Sequence, residues 1–301
     1  MRVALLGVGL IGGSIGLAVR RRTGARVVGY DPDAQALSRA VETGAIDVPV
    51  FEVADAVRDA DLVFVAAPVG SATEVAELAL SEAGAECVVS DVGSTKRAIV
   101  QSISDARFVG GHPLAGSERG GVENARADLF EGATWYLTPP AGAQWLAAGA
   151  SSPTDAAPWA VERLRGMIER IGARPVAIDP ETHDRLMANV SHLPHVFANV
   201  LVAQAAAAIE SGDVEEQGDG LGAGPSFRDA TRVAGANTAI WTDIYLSNRD
   251  AVIEAIDDAI GRLGDVRATL HECDGAALAA WNERARAQCE RLRQAGLASD
   301  S

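Results

Sequence analysis

The chain reads as an α/β protein: a doubly wound, mostly parallel sheet over residues 1–179, then an all-α C-terminal domain over 180–301. Three observations predict this. Apolar runs of strand length alternate with helix-compatible stretches through the first half, a glycine-rich turn joins the first run to the first helix, and strand signals stop after Asp179-Pro180. With 301 residues, 48% of them hydrophobic, the chain can bury the cores of two ordinary domains.

The first element is RVALLGVGLIGGSIG, residues 2–16: a short apolar strand, then Gly7, Gly9 and Gly12 in GxGxxG spacing with Leu10 and Ile11 between them, then a helix expected from about Gly13. Glycines permit the tight turn and let a pyrophosphate approach the backbone at a helix N-terminus, which makes this a Rossmann-type nucleotide loop. A purely structural turn is the alternative. A second strand at 26–30 ends at Asp31, about twenty residues beyond Gly12, where a carboxylate accepts from ribose hydroxyls and repels a 2′-phosphate. NAD is therefore expected ahead of NADP, with Arg20, Arg21 and Arg22 nearby pulling the other way.

Further strands are expected at 62–66, 87–90, 108–110, 134–137 and 175–178, with a helix at 71–83. In doubly wound sheets ligands lie beyond the carboxyl ends of the strands. That rule selects the loop 67–70 with Pro68, the loop 91–96 with Ser94 and Lys96, and the stretch VGGHPLAGSERGG at 109–121, where His112 is expected just past a strand end. Residues 139–158, rich in proline and small side chains, read as a surface insertion. Helices follow at 181–211, 239–263 and 265–294; the last carries a stripe of Val266, Leu270, Cys273, Ala277 and Trp281, either intramolecular core or the seam of a homodimer. The acidic, glycine-rich segment 211–225 is a lid or a plain solvated loop.

A net charge of −15 opposes binding to nucleic acid or anionic lipid, so a small-molecule substrate is expected instead. No apolar run is read as approaching the roughly 20 residues that span a bilayer, the first residues lack a signal-peptide profile, and three scattered cysteines suit a reducing compartment; a cytoplasmic protein is expected. Of 26 basic residues only Lys96 is a lysine. It either faces the cofactor side of its loop or pairs with a carboxylate.

GVGLIGGSIGLA, DVGSTK, GGHPLAGSERGG, MANVSHLPHVFAN and SFRDATRVAGANTAIWTDIYLSN, in this order, resemble the prephenate/arogenate dehydrogenase family of tyrosine biosynthesis, from Arg2 to about Asn248. The resemblance implies a nucleotide-binding domain, a helical dimerisation domain, and oxidative decarboxylation of a cyclohexadienol by NAD or NADP. It implies that His112 engages the ring hydroxyl, that Ser94 orients it, and that Arg232, His195, Glu118 and Trp241 meet the substrate. One departure stands out: Pro225 and Ser226 occupy positions where relatives commonly carry Gly-Gly.

Chemistry supports these assignments and leaves alternatives beside them. A histidine next to Pro113 is held in place and titrates in the right range to accept a hydroxyl proton; capping a turn is its other role. Ser94 serves equally as the N-cap of a helix starting near Thr95. Glu118 is a substrate contact or a solvated loop acid. His192 and His195 share a helix face, yet no third ligand accompanies them, so no metal is expected; Pro194 between them should kink the helix. Arg232 offers a carboxylate a bidentate partner with Asp229 as its own pair, or Arg228, Asp229 and Arg232 form a surface network. Trp241 lines a pocket or packs a helix. The rival functions are a β-hydroxyacid or imine reductase, which needs a lysine that the helical half lacks, and a non-catalytic NAD-sensing module.

Overall fold

The computed structural model describes residues 1–116, 119–139, 155–211 and 224–294. β1 (Arg2–Leu6) leads through the glycine loop into α1 (Leu10–Thr23); then come β2 (Arg26–Tyr30), α2 (Ala34–Glu42), β3 (Val48–Val50), α3 (Val53–Val57), β4 (Leu62–Val65), α4 (Val69–Glu82), β5 (Val88–Asp91) and α5 (Arg97–Ser102). The five strands form one parallel sheet in the order β3-β2-β1-β4-β5. Both faces are covered. Along β1, Val3 and Leu5 enter one core with Ile15 and Phe64, while Ala4 and Leu6 enter the other with Val63 and Ala76, which is why these strands read as unbroken apolar runs.

β6 (Gly110–Pro113), β7 (Thr134–Thr138), α6 (Pro158–Arg170) and β8 (Arg174–Ala177) build a second, three-stranded sheet in the order β6-β7-β8. β6 runs antiparallel to β7 and β7 parallel to β8; a single bridge between Val89 and Phe108 ties the approach of β6 to β5. The chain continues as α7 (Pro180–Met187), a π-helical turn at Ala188–His192, α8 (Leu193–Glu210), α9 (Pro225–Thr231), a 3-10 turn at Arg232–Gly235, α10 (Thr238–Ser247), α11 (Arg249–His271) and α12 (Gly275–Gln294). Two compact units result, Met1–Val252 and Ile253–Ser301; the first contains both sheets and α7 to α10.

Several expectations need correction. α1 starts at Leu10 rather than near Gly13, because the helix takes up the glycine loop itself. β3 is too short, at three residues, to stand out as an apolar run. The strand expected at 108–110 lies further on, and His112 sits within it, opposite Tyr136, instead of beyond its end. The helices expected at 239–263 and 265–294 break at other points: at Asn248, and at Cys273, whose φ of 54° ends α11. Val266 and Leu270 therefore belong to α11, Ala277 and Trp281 to α12. Pro194 is accommodated by the π turn just before it, where the helix register shifts as its missing N–H demands. The continuous helical run Pro180–Glu210 is, by length and composition, apolar enough to cross a membrane, contrary to the sequence reading. Residues 140–154 and most of the 211–225 segment lie outside the described residues.

Candidate active site

Close packing dictates two of the three loop glycines. Gly7 has φ +101°, and a Cβ there would sit 2.4 Å from the carbonyl oxygen of Ala66; at Gly12 it would sit 2.0 Å from the carbonyl oxygen of Gly7. Gly9 is different: a Cβ would meet nothing within 4 Å, because this residue faces open space. That space is a cavity of about 620 Å³ lined by Gly9, Leu10, Ile11, Gly12, Pro68 and Ser94, and also by Arg119, Gly235, Asn237 and Trp241. At the end of β2, Asp31 accepts a hydrogen bond from the Val8 N–H at 2.9 Å, which fixes the carboxylate beside the glycine loop. A backbone open at Gly9, a helix N-terminus and an acid on the neighbouring strand fit a dinucleotide.

The loop after β5 is held from beneath by a buried ion pair. Lys96 is fully buried with its Nζ on Asp91, and Asp91 also accepts from the N–H of Gly93 at 2.8 Å and of Gly111 at 3.1 Å. Of the two positions open to Lys96, the structure takes the carboxylate partner; the cofactor-side placement is corrected. Burial pushes its ammonium below the ordinary lysine range, and Asp91 counters that. Ser94 lines the cavity but does not cap the next helix, since α5 starts at Arg97. The cap comes from Asp184, which accepts from the backbone N–H of Lys96 at 2.7 Å and of Arg97 at 3.0 Å.

His112 is buried, with 9% of its surface exposed. Its Nδ1 lies 2.8 Å from Nε2 of His183, and Nδ1 of His183 lies 2.7 Å from Oδ1 of Asp184. Burial, followed by the neighbouring His183 and Lys96, holds His112 well below the ordinary histidine value, so it is neutral at neutral pH. For Asp184 burial acts upward, but the hydrogen bond to His183 and the two backbone N–H groups outweigh it and keep the carboxyl low. His112 is not among the residues that line the 620 Å³ cavity.

On the helical side Trp241 lines that cavity and stacks on the buried His195, ring centroids 3.6 Å apart and planes 3° from parallel. Nδ1 of His195 meets the Tyr245 hydroxyl at 2.5 Å. His192, also buried, stands edge-on to Trp241, and its Nδ1 accepts from Asn248, whose amide also donates to the Asp184 carbonyl at 2.7 Å. Burial pushes the His192 imidazole down to about 4. Arg232 and Asp229 are exposed; Arg232 opens the turn whose last residue, Gly235, lines the cavity. Glu118 lies outside the described residues.

Residues 15–151 match the family described as prephenate dehydrogenase, nucleotide-binding domain, and residues 179–283 its dimerization domain. The chain belongs to the prephenate dehydrogenase family. It is 34% identical to prephenate dehydrogenase of Bacillus subtilis (strain 168), over 90% of this chain and 71% of that one. To cyclohexadienyl dehydrogenase of Zymomonas mobilis subsp. mobilis it is 31% identical, over 91% and 89%. Among solved structures, prephenate dehydrogenase from A. aeolicus in complex with hydroxyphenyl propionate and NAD+ superposes with a TM-score of 0.82 at 28% identity, covering 96% of this chain and 98% of that one. Synechocystis arogenate dehydrogenase superposes at 0.76 and 26% identity, over 97% and 99%.

Sequence reasoning passed over three residues here. Arg119 is the only arginine in the glycine-rich stretch, a signal that was available. His183 and Asp184 carry no motif, and only the fold brings them under His112.

Proposed function

We infer that this enzyme oxidatively decarboxylates prephenate to 4-hydroxyphenylpyruvate, or arogenate to tyrosine, with NAD as its preferred cofactor. The observation that carries this reading is a neutral, anchored His112 in the same compact unit as a glycine-loop cavity walled by Ser94 and Trp241. Gly7, Gly9, Leu10, Ile11 and Gly12 would hold the dinucleotide, and Asp31 its ribose. A nicotinamide bound there supplies the hydride acceptor.

The chain's own residues then do the rest. Nε2 of His112 accepts the proton of the ring C4 hydroxyl as hydride leaves the same carbon, giving a ketone. The bond to the C1 carboxylate breaks next; carbon dioxide departs, its electron pair enters the ring, and the new phenolate oxygen takes the proton back from His112. Aromatisation drives the step, so positioning is the main task of the protein. Ser94 orients the hydroxyl, while Arg232, with Asp229 near it in sequence, and His195 hold the substrate against Trp241. Residues before 179/180 hold the cofactor and also supply His112 and Ser94, while residues after it hold the substrate. A lysine-based reductase mechanism is disfavoured, because the one lysine is buried on Asp91.

A homodimer completes the assembly. Val200, Leu201, Val202 and Ile209 on α8, and separately Ile260, Leu263, Leu270 and Trp281 on α11 and α12, are exposed apolar side chains that a second copy would cover. The direct test of the activity is to follow NADH and NADPH formation with prephenate and arogenate side by side. Faster turnover with NAD and one of the two acids is expected; no turnover with either acid overturns the reading.

A further inference from the structure

Beneath His112 lies a line of buried polar groups for which the reaction as written gives no role. Asp184 is 2% exposed and His183 not at all. The Asp184 carboxylate is an acceptor only, and it already receives two backbone N–H groups at the start of α5. Its third partner, Nδ1 of His183, must therefore carry a proton. A neutral imidazole has one N–H, so Nε2 of His183 is left as an acceptor. The group facing that acceptor at 2.8 Å is Nδ1 of His112, which must in turn donate. The two rings meet edge to face, 71° apart with centroids 5.0 Å apart, a geometry that such a hydrogen bond between imidazoles allows. The chain of donors and acceptors has one consistent solution, and it puts the lone pair of His112 on Nε2.

We propose that His183 and Asp184 are positioning residues: Asp184 sets the tautomer of His183, His183 sets that of His112, and the relay keeps Nε2 of His112 unprotonated and ready to receive a proton. The proposal rests on the role of His112 given above. When Nε2 takes the hydroxyl proton, the imidazolium keeps its Nδ1–H on His183, and the charge of Asp184 stabilises it through the intervening ring in a low-dielectric setting. No proton needs to leave the site, since Nε2 returns it to the product oxygen.

The same carboxylate has a second effect. By capping α5, Asp184 also fixes the end of the loop that carries Ser94. One side chain thus sets both the basic nitrogen and the placement of its hydroxyl neighbour. Asn248 holds this carboxylate's residue in place through the Asp184 carbonyl.

Imidazole 15N spectra of the intact protein test the tautomers directly, because only five histidines are present. His112 and His183 are expected as neutral Nδ1–H tautomers at pH 7.5; an Nε2–H tautomer at His112 overturns the proposal. In Asp184→Asn the charge is lost and a single amide oxygen replaces two carboxylate oxygens that accept from three donors, so the anionic end of the relay is removed. The expected result is a fall in kcat of about 100-fold or more with the KM for NAD unchanged, because the imidazolium formed at His112 loses the charge that stabilises it. Wild-type kcat in that variant overturns the proposal. Should Asp184→Asn not fold, His183→Phe removes the acceptor while leaving the cap, and the same loss of kcat is expected. Failure of the functional reading has a different mark: the wild-type protein turns over neither acid, or His112→Asn keeps full activity, whatever the spectra report.

Discussion

The two polar regions of this protein are built on opposite logic. Around the glycine loop, the site is made of backbone and empty space: two glycines where a Cβ would collide with a carbonyl oxygen, and one where it would meet nothing. Around His112 it is made of buried side chains, each satisfied by the next, drawn from β6, α7 and the β5–α5 loop. The first region tolerates no added atom at Gly7 or Gly12. The second tolerates no lost one, because every buried donor or acceptor removed leaves its partner unpaired.

Substitutions can break that contrast, and the largest effect on stability is expected in the second region. Lys96→Ala leaves Asp91 buried without its cation and should cost about 3–5 kcal/mol, seen as a lower midpoint in urea unfolding. A cost below 1 kcal/mol would mean that water reaches Asp91. In the first region Gly12→Ala forces its Cβ against Gly7 and should cost about 1–3 kcal/mol together with nucleotide binding. Gly9→Ala should leave the unfolding midpoint unchanged and weaken NAD binding measured by calorimetry, since the added methyl enters the space assigned to the pyrophosphate. Equal destabilisation by both substitutions would erase the distinction between them. Asp31→Asn keeps the acceptor for Val8 but loses the charge; the KM for NAD should rise about tenfold, a change of about 1.4 kcal/mol, and preference over NADP should shrink.

The smallest effect is on pH dependence. His192 is buried neutral with its value pushed down to about 4, from an ordinary 6.5. Its unfolded form binds a proton first, so stability falls as the pH drops from about 6.5 towards 4. His112 and His183 are lowered as well and act in the same direction. Unfolding midpoints measured between pH 8 and 5 should decline on the acid side, and His192→Asn should flatten part of that decline.

The same contrast explains what the sequence could reveal. Gly7, Gly9, Gly12 and Asp31 are legible because the constraint is local: a turn, a helix start and a strand end within one βαβ unit. Ser94 lines the cavity from a loop that the strand-end rule selects, whereas Trp241 was singled out by a resemblance and not by spacing. The His112–His183–Asp184 line is not legible, because its members are 71 residues apart and adjacent only after β6 has paired with β7 and α7 has packed near α5. Lys96 was conspicuous as the only lysine, but its position was undecided, since nothing in the sequence says that Asp91 turns inward to meet it. Helix ends were misplaced at Asn248, the C-cap of α10, and at Cys273, where a left-handed residue that is not glycine stops α11.

The central claim is that His112 receives the proton as hydride leaves the substrate. A single turnover of prephenate with excess enzyme and NAD, followed at the NADH absorbance in the wild-type protein and in His112→Asn, tests it most directly. The account predicts one NADH per substrate in both, formed at least about 100-fold more slowly in the variant despite unchanged binding of NAD. Equal rates of hydride transfer in the two proteins would contradict it.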